Sequence, residues 1–427
     1  MHRLTLIALL LALTFAAHAQ KPRARDLGVP FDGTPGPNNA ITDVAGVEVG
    51  HTTLISGDGK LVVGTGPVRT GVTAIHPRGK TSNDAVFAAW FTLNGNGEMT
   101  GTTWVEDSGF LNGPVMITNT HSVGVVRDAV IAWKVKHGTP DMEGYWWSLP
   151  VVAETWDGWL NDINGFHVKP EDAFHALDVA HSGPVEEGNV GGGTGMICNE
   201  FKGGIGTSSR VLDAKSGGYT VGVLVQCNYG RRDQLRIAGV PVGKEIPEHP
   251  AYEDETAASG TGSRSPSRSM WGQLPKAALS EAEGAVQRRE GPLSGKDVGS
   301  IIVIVATDAP LIPTQLKRIA RRVSLGLGRD GSYSGDGSGD IFIAFSTANP
   351  GAVSPKSNQP NNLHQLTMLP NDSLDPMFLA TVQATEEAVV NAMVAAQTMK
   401  GIDNHEVIAL PHDRLREVLK KYNRLVK

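Results

Sequence analysis

The chain has 427 residues, with 38 Lys and Arg against 44 Asp and Glu, a formal net charge of -6 and 40% hydrophobic residues. This mild acidity is spread over a length that allows one large domain or two with an ample core, and it argues against nucleic acid or an anionic membrane as the main partner. The 51 glycines stand well above average usage and imply many tight turns and close backbone approaches.

Arg3 precedes an apolar run over 4–16, and Ala17-His18-Ala19 offers a small-residue cleavage site. That is the pattern of a secretory signal peptide over residues 1–19. The run is too short to span a bilayer comfortably, and no later stretch is long and apolar enough to do so. Loss of the leader removes one positive charge, Arg3, so -6 - 1 gives -7 for the mature chain. The expected mature protein, residues 20–427, is exported, to the periplasm or the medium.

Residues 20–40 are a Pro-rich, polar lead-in. From 41 to 126 the pattern is β-like, with strands expected at 44–51, 71–75 and 86–91 and Gly-rich turns between them. A helix follows over 122–135, with Val126, Ala129, Val130 and Trp133 at helical spacing. An apolar strand over 149–153 ends at Glu154, and 161–164 reads as a loop. A helix over 169–181 carries Pro170 in its first turn. The cluster Gly191 to Gly195 lacks the Lys-Ser/Thr ending of a phosphate loop and is read as a tight turn or close packing. A strand spans 219–227. The stretch 253–298 is low in complexity and reads as a flexible segment, with a helical patch at 277–288. Then come a strand from 300 to 306, an amphipathic helix over 313–325, a strand over 340–345, a long Ala-rich helix over 374–399 and a last helix over 413–422. Strands and helices do not alternate regularly. The reading is therefore α+β, in layers, and not a doubly wound parallel sheet.

Gly299-Ser300 stands directly before the apolar run Ile301-Ile302-Val303-Ile304-Val305-Ala306. Cleavage before Ser300 gives it a free α-amine beside its own hydroxyl. Such an amine has a pKa near ~8, so near neutrality it can take the hydroxyl proton, as in N-terminal nucleophiles. Asp336-Gly337-Ser338-Gly339-Asp340 has Ile341 where a calcium loop needs glycine. A serine and an acid two residues apart at a strand start suit hydrogen bonding to a nucleophile instead. Asn228 ends a strand, where a turn role competes with donation to an oxyanion. Glu154, at an apolar strand end with Trp156 two residues on, is placed either as an ordinary loop acid or as a receiver of a substrate ammonium. His121 opens a helix without any triad signature, and His405 and His412 are read as C-terminal surface residues. Cys198 and Cys227 are read as small buried residues in preference to a disulfide. Two ligands do not make a zinc site.

Several segments together resemble one family, the self-processing L-aminopeptidase D-amidase/esterases and β-peptidyl aminopeptidases. They are Ile41 to His51, Asn119 to Gly124, Pro150 to Thr155, Gly203 to Arg210, Gln226 to Gly230, and Gly299 to Leu311, with the Ser338-Gly339-Asp340 strand start. They cover nearly the whole mature chain in order. The resemblance implies a four-layer αββα sandwich like the N-terminal nucleophile hydrolases but differently connected. It implies self-cleavage at Gly299-Ser300 into an α-chain, 20–299, and a β-chain, 300–427, that stay associated. Ser300 would be the nucleophile with its own amine as base, and Asn228 with a backbone N–H the oxyanion hole. Ser338 and Asp340 would hydrogen-bond Ser300, and Glu154 would bind the substrate's amino group. The expected substrates are short peptides, amides or esters, with no metal and no other cofactor, and the assembly a tetramer of αβ pairs.

Two positions depart from the family pattern. Asp340 stands where Glu is common, one methylene shorter. Trp156 replaces a Tyr found in some members and offers only an N–H donor, which tilts the reading toward the β-aminopeptidase branch. Two other functions stand beside this one: an acyltransferase, passing the acyl group to an amine, and a non-catalytic periplasmic binding protein, which would stay a single uncut chain.

Overall fold

The computed structural model describes residues 21–138, 147–252, 299–353 and 363–426. The expected signal peptide over 1–19 and the stretch 253–298 with its expected helical patch lie outside the described residues. The elements run β1 (Glu48–Ser56), β2 (Val68–His76), β3 (Val86–Gly95), α1 (Thr102–Ser108), β4 (Phe110–Leu111), β5 (Val115–Asn119), α2 (Val123–His137), β6 (Val151–Thr155), α3 (Pro170–Asp178), β7 (Ile197–Cys198), β8 (Phe201–Lys202), β9 (Gly204–Val211) and β10 (Thr220–Asn228). After these come α4 (Val242–Glu245), β11 (Ser300–Thr307), α5 (Pro313–Arg329), β12 (Gly339–Ser346), α6 (Asp375–Val394), β13 (Met399–Lys400), β14 (Glu406–Val407) and α7 (His412–Lys421).

Two sheets carry the fold. One has the order β1-β2-β5-β6, the other β4-β3-β12-β11-β10-β9. Strand alternation sorts the residues of β11 between two cores. Ile302, Ile304 and Ala306 join Ile75, Ile117, Val151 and Ala153 between the sheets. Ile301, Val303 and Val305 face α5 and α6, against Leu316, Ile319, Val323, Ala388 and Val389. On the far side of the four-stranded sheet, Val72, Ala74, Met116 and Val152 pack on Val126, Val130, Ala173 and Leu177 of α2 and α3. The layers are therefore helices, sheet, sheet, helices, which is the αββα sandwich. β11 is a near-continuous apolar run because both its faces are covered.

The glycine cluster is a 3-10 turn over Gly191–Gly193. It is packed so closely that a Cβ at Gly192 would stand 2.2 Å from Gln226 Oε1 and one at Gly193 2.5 Å from the Ile205 amide nitrogen. Three expectations change. α1 forms within the stretch read as β-like. β9 forms over Gly204–Val211, where the sequence carries Thr207, Ser208, Ser209 and Arg210, all buried. And Cys198 and Cys227, both fully buried, are joined in a disulfide with their Cα atoms 5.5 Å apart. The correction has a physical cause: the short hairpin of β7 and β8 lies against the end of β10 and brings together two cysteines that are 29 residues apart in sequence. His405 and His412 are half-buried; His405 stacks on Trp159 at 4.0 Å, and its Nδ1 lies 2.9 Å from the Trp159 carbonyl.

Candidate active site

Ser300 opens β11, a central strand of the six-stranded sheet. Its antiparallel neighbour across β10 is Asn228, and its parallel neighbour across β12 is Gly339. Ser300 has the parity of Ile302 and Ile304, and Asn228 that of Leu224, so both side chains stand on the face between the sheets. Directly opposed residues of an antiparallel pair are near neighbours, which brings the Asn228 amide beside the Ser300 hydroxyl. Ser300 is 6% exposed and Asn228 4%.

The Gly339 N–H lies 3.1 Å from the Gly299 carbonyl oxygen and 3.3 Å from Ser300 Oγ. One backbone donor thus faces both partners of the Gly299-Ser300 bond. Gly339 is held where it is by its lack of a side chain, since a Cβ there would stand 2.2 Å from the Asn96 carbonyl oxygen. The flanking pair of the motif bonds to itself. Ser338 Oγ donates to Asp340 Oδ1 at 2.6 Å, and Ser334 donates to Asp340 Oδ2. All of Ser338 and Asp340 is buried, and Asp340 shares the parity of Phe342 on the helix face. Their link to Ser300 runs through the Gly339 amide that lies between them.

The Asn228 amide is fixed at both ends. Its Oδ1 accepts from the Ile197 N–H at 2.7 Å, and its Nδ2 donates to the Trp156 carbonyl at 2.9 Å. The second N–H of that amide is set by planarity, so its direction is determined too.

Glu154 comes from the other sheet. It lies on β6, 3% exposed, and its carboxylate accepts from the Glu98 N–H at 2.9 Å and the Thr120 hydroxyl at 2.5 Å. Burial pushes its pKa above the usual carboxylate range, against the pull of the Thr120 and Glu98 donors. Glu154 and Gly339 at the start of β12, the parallel neighbour of Ser300, are separated by little more than Gly97. A Cβ at Gly97 would lie 3.2 Å from Glu154 Oε1 and 3.3 Å from the Gly339 Cα. Trp156, one residue beyond β6, is half-buried; its carbonyl accepts from Asn228 Nδ2 and its ring lies against Gly158. Asp157, next along, is buried, holds Asn161 Nδ2 at 3.0 Å, and is pushed up to about 7 by desolvation. His121 is exposed and stacked on Phe166, 6.0 Å between ring centroids, at the turn that carries Thr120.

All seven residues singled out from sequence are therefore found around one end of β11: Gly299, Ser300, Asn228, Ser338, Asp340, Glu154 and Trp156. Sequence reasoning missed Gly339 as the donor between the motif's two polar residues. It also missed Thr120 and the Glu98 amide as the groups that hold Glu154, although Thr120 stood in a segment already marked by the family resemblance.

A serine at a strand start in an αββα sandwich, with an amide and a backbone N–H on either side and a buried carboxylate across the gap, is the arrangement of a serine-type aminopeptidase of the N-terminal nucleophile hydrolase kind. Residues 39–407 match the model of Peptidase family S58, and the chain belongs to that family. It is 53% identical over 427 residues to the β-peptidyl aminopeptidase BapA of Sphingosinicella microcystinivorans, covering 100% of this chain and 99% of that one. Among solved structures it resembles the L-aminopeptidase D-Ala-esterase/amidase of Ochrobactrum anthropi, described as a prototype of the serine aminopeptidases and a new variant of the Ntn hydrolase fold. There the TM-score is 0.79 and the identity 47%, over 95% of this chain and 100% of that one. A Burkholderia sp. β-aminopeptidase matches with TM-score 0.76 and 43% identity, over 94% and 99%.

Proposed function

We propose that this aminopeptidase activates itself by cutting Gly299-Ser300 and then releases N-terminal β-residues from short peptides through an acyl-enzyme on Ser300. The observation that carries the reading is the Gly339 N–H, placed on both the Gly299 carbonyl and the Ser300 hydroxyl. In the first step Ser300 Oγ attacks the Gly299 carbonyl carbon while Gly339 holds its oxygen. The C–N bond breaks, leaving Gly299 as an ester on Oγ and a free α-amine on Ser300. Water then hydrolyses the ester, and Gly299 departs as a carboxylate.

Cleavage frees the Gly339 N–H from its carbonyl partner, beside a serine that now carries its own base. A substrate carbonyl bound there is attacked by Oγ, whose proton passes to the α-amine. The developing oxyanion lies between Asn228 Nδ2 and the Gly339 N–H, an electrostatic contribution for which one donor is worth about 10²–10³ in kcat. The amine proton goes to the leaving amine, and water hydrolyses the acyl-enzyme by the same route. Glu154 pairs with the substrate's free ammonium, which confines the enzyme to chain ends. The β-residue preference is supported by the likeness to β-peptidyl aminopeptidases and by Trp156. Export is supported by the leader pattern and by the buried Cys198–Cys227 disulfide, since such bonds persist in oxidising compartments.

Intact-mass analysis of the wild type beside Ser300→Ala tests the reading. Two chains, the smaller beginning at Ser300, are expected from the wild type and one inactive chain from the variant. A wild type that stays whole while hydrolysing substrate overturns the self-cleavage mechanism.

A further inference from the structure

The Asn228 amide is held by more structure than a turn asparagine requires. Residues 196–203 form a tight hairpin in which Ile197 pairs with Lys202 and Cys198 with Phe201, and the Gly203 N–H donates to the Met196 carbonyl at 2.9 Å. This hairpin is fastened to residues 227–229 one position at a time. Ile197 N–H donates to Asn228 Oδ1, Cys198 is bonded to Cys227, and Asn199 N–H donates to the Tyr229 carbonyl at 2.7 Å. Lys202 is 0% exposed, and its Nζ turns back to donate to the Met196 carbonyl at 2.6 Å and the Gly203 carbonyl at 2.9 Å. It closes the hairpin directly before the residue that grips Asn228.

Burying an ammonium is costly where an apolar side chain would fill the space. Burial also drives the Lys202 pKa down, with the neighbouring Asp157 pulling the other way. Here the buried ammonium ties the two ends of the hairpin together at the Met196 and Gly203 carbonyls, one residue from the Asn228 grip. We propose that the 196–203 hairpin, locked by Lys202 and the Cys198–Cys227 disulfide, is the positioning element that aims the Asn228 amide at the oxyanion. This rests on the reading of Asn228 as an oxyanion donor. Ile197 and the Trp156 carbonyl set the plane of the amide, and the hairpin sets where Ile197 stands. A misplacement of about 1 Å in a catalytic group can cost 10²-fold in rate.

The test is a set of cycles on cleaved enzyme, with rates expressed per Ser300 N-terminus counted by intact mass. The variants are Asn228→Ala, Lys202→Met and the double Cys198→Ala/Cys227→Ala, with each of the last two repeated in the Asn228→Ala background. Asn228→Ala alone should lower kcat by about 10²–10³-fold. Lys202→Met and the cysteine pair should each lower kcat about tenfold or more, with KM within about twofold, because the amide meets substrate chiefly in the transition state. Added to Asn228→Ala, neither should lower kcat further, since residues acting through one group are not additive. The same fold-loss in both backgrounds, or no loss in kcat, overturns the positioning role. If Asn228→Ala itself is harmless, it is the oxyanion reading that falls. If the cysteine variant does not fold, Lys202→Met carries the same cycle. Alkylation of the denatured, unreduced protein should find no free thiol, and two free thiols would remove the disulfide from the proposal.

Discussion

Glu154 shows how one side chain acquires its chemistry from its surroundings. A carboxylate 3% exposed is penalised for its charge, and the Thr120 and Glu98 donors only partly offset this. Its pKa is raised, so as pH falls it takes a proton earlier than an exposed glutamate and would lose its hold on the substrate ammonium proposed to pair with it. In the proposed mechanism the Ser300 amine freed by cleavage, an α-amine whose ordinary pKa is near ~8, must by contrast lose a proton to act. Both groups therefore weaken kcat/KM as pH falls. In the wild type log kcat/KM should fall first with slope one and then, below the Glu154 value, with slope two. Glu154→Gln should lower kcat/KM by about 30-fold or more, the cost of removing one partner of a desolvated charge pair, and should keep slope one throughout. A pH–rate profile of both proteins checks this, and an unchanged second slope in the variant would assign that proton elsewhere.

At the level of elements, glycine decides how closely layers approach. On β9, Gly206 faces α6, and a Cβ there would stand 2.0 Å from the Ala388 carbonyl oxygen and 2.7 Å from the Ala392 Cβ. Helix α6 is buried on nearly all sides because β9 and β10 lie beneath it, α5 lies beside it, and the lead-in covers it, with the Ala24 N–H donating to Asn391 Oδ1 and Arg25 to Glu387. It has no room to retreat. Gly206→Ala should destabilise by about 1–3 kcal/mol through overpacking. Gly328, exposed in the last turn of α5, has no atom within 4 Å of an added Cβ. Gly328→Ala should stabilise by about 0.4–1 kcal/mol, through a lower unfolded-state entropy and a better helix propensity. Denaturant melts of the two variants should shift in opposite directions, and a shift in the same direction would contradict the packing argument.

Across the whole molecule, the sheet order governs what would follow the proposed cleavage. In β4-β3-β12-β11-β10-β9 the strands after residue 299 are β12 and β11, in the middle. The strands before it, β3 and β10, hydrogen-bond them on both sides. Helix α6 of the later segment also packs on β9 of the earlier one: Ser208 Oγ donates to the Ala384 carbonyl, and Arg210 pairs with Glu387 at 2.8 Å, both side chains buried. Neither piece can leave without opening the sheet at two seams. The cut chains should co-elute in native size exclusion and separate only in denaturant, and residues 300–427 expressed alone should not fold. A soluble, folded 300–427 fragment would contradict this.

What the sequence determined by itself is local. The apolar run after Ser300 specifies a strand covered on both faces, and helical spacing specifies α2, α5 and α6 to within a few residues. The residue types at 154, 228, 300 and 338–340 announce carboxylate, amide and hydroxyl chemistry. None of these signals depends on a distant partner. β9 did not announce itself, because the groups that make its polar run buriable come from far along the chain. Thr207 Oγ1 is satisfied by the Val223 carbonyl, Ser208 by Ala384, Ser209 by Asp43, and Arg210 by Asp32, Gln383 and Glu387. The cysteines looked like two small core residues until the β7–β8 hairpin laid them side by side. Gly339 looked like a spacer until β12 paired with β11 and turned its N–H onto the Gly299 carbonyl. The tertiary structure alone decided these, because a hydrogen-bond donor or a thiol has a role only relative to the atom placed opposite it.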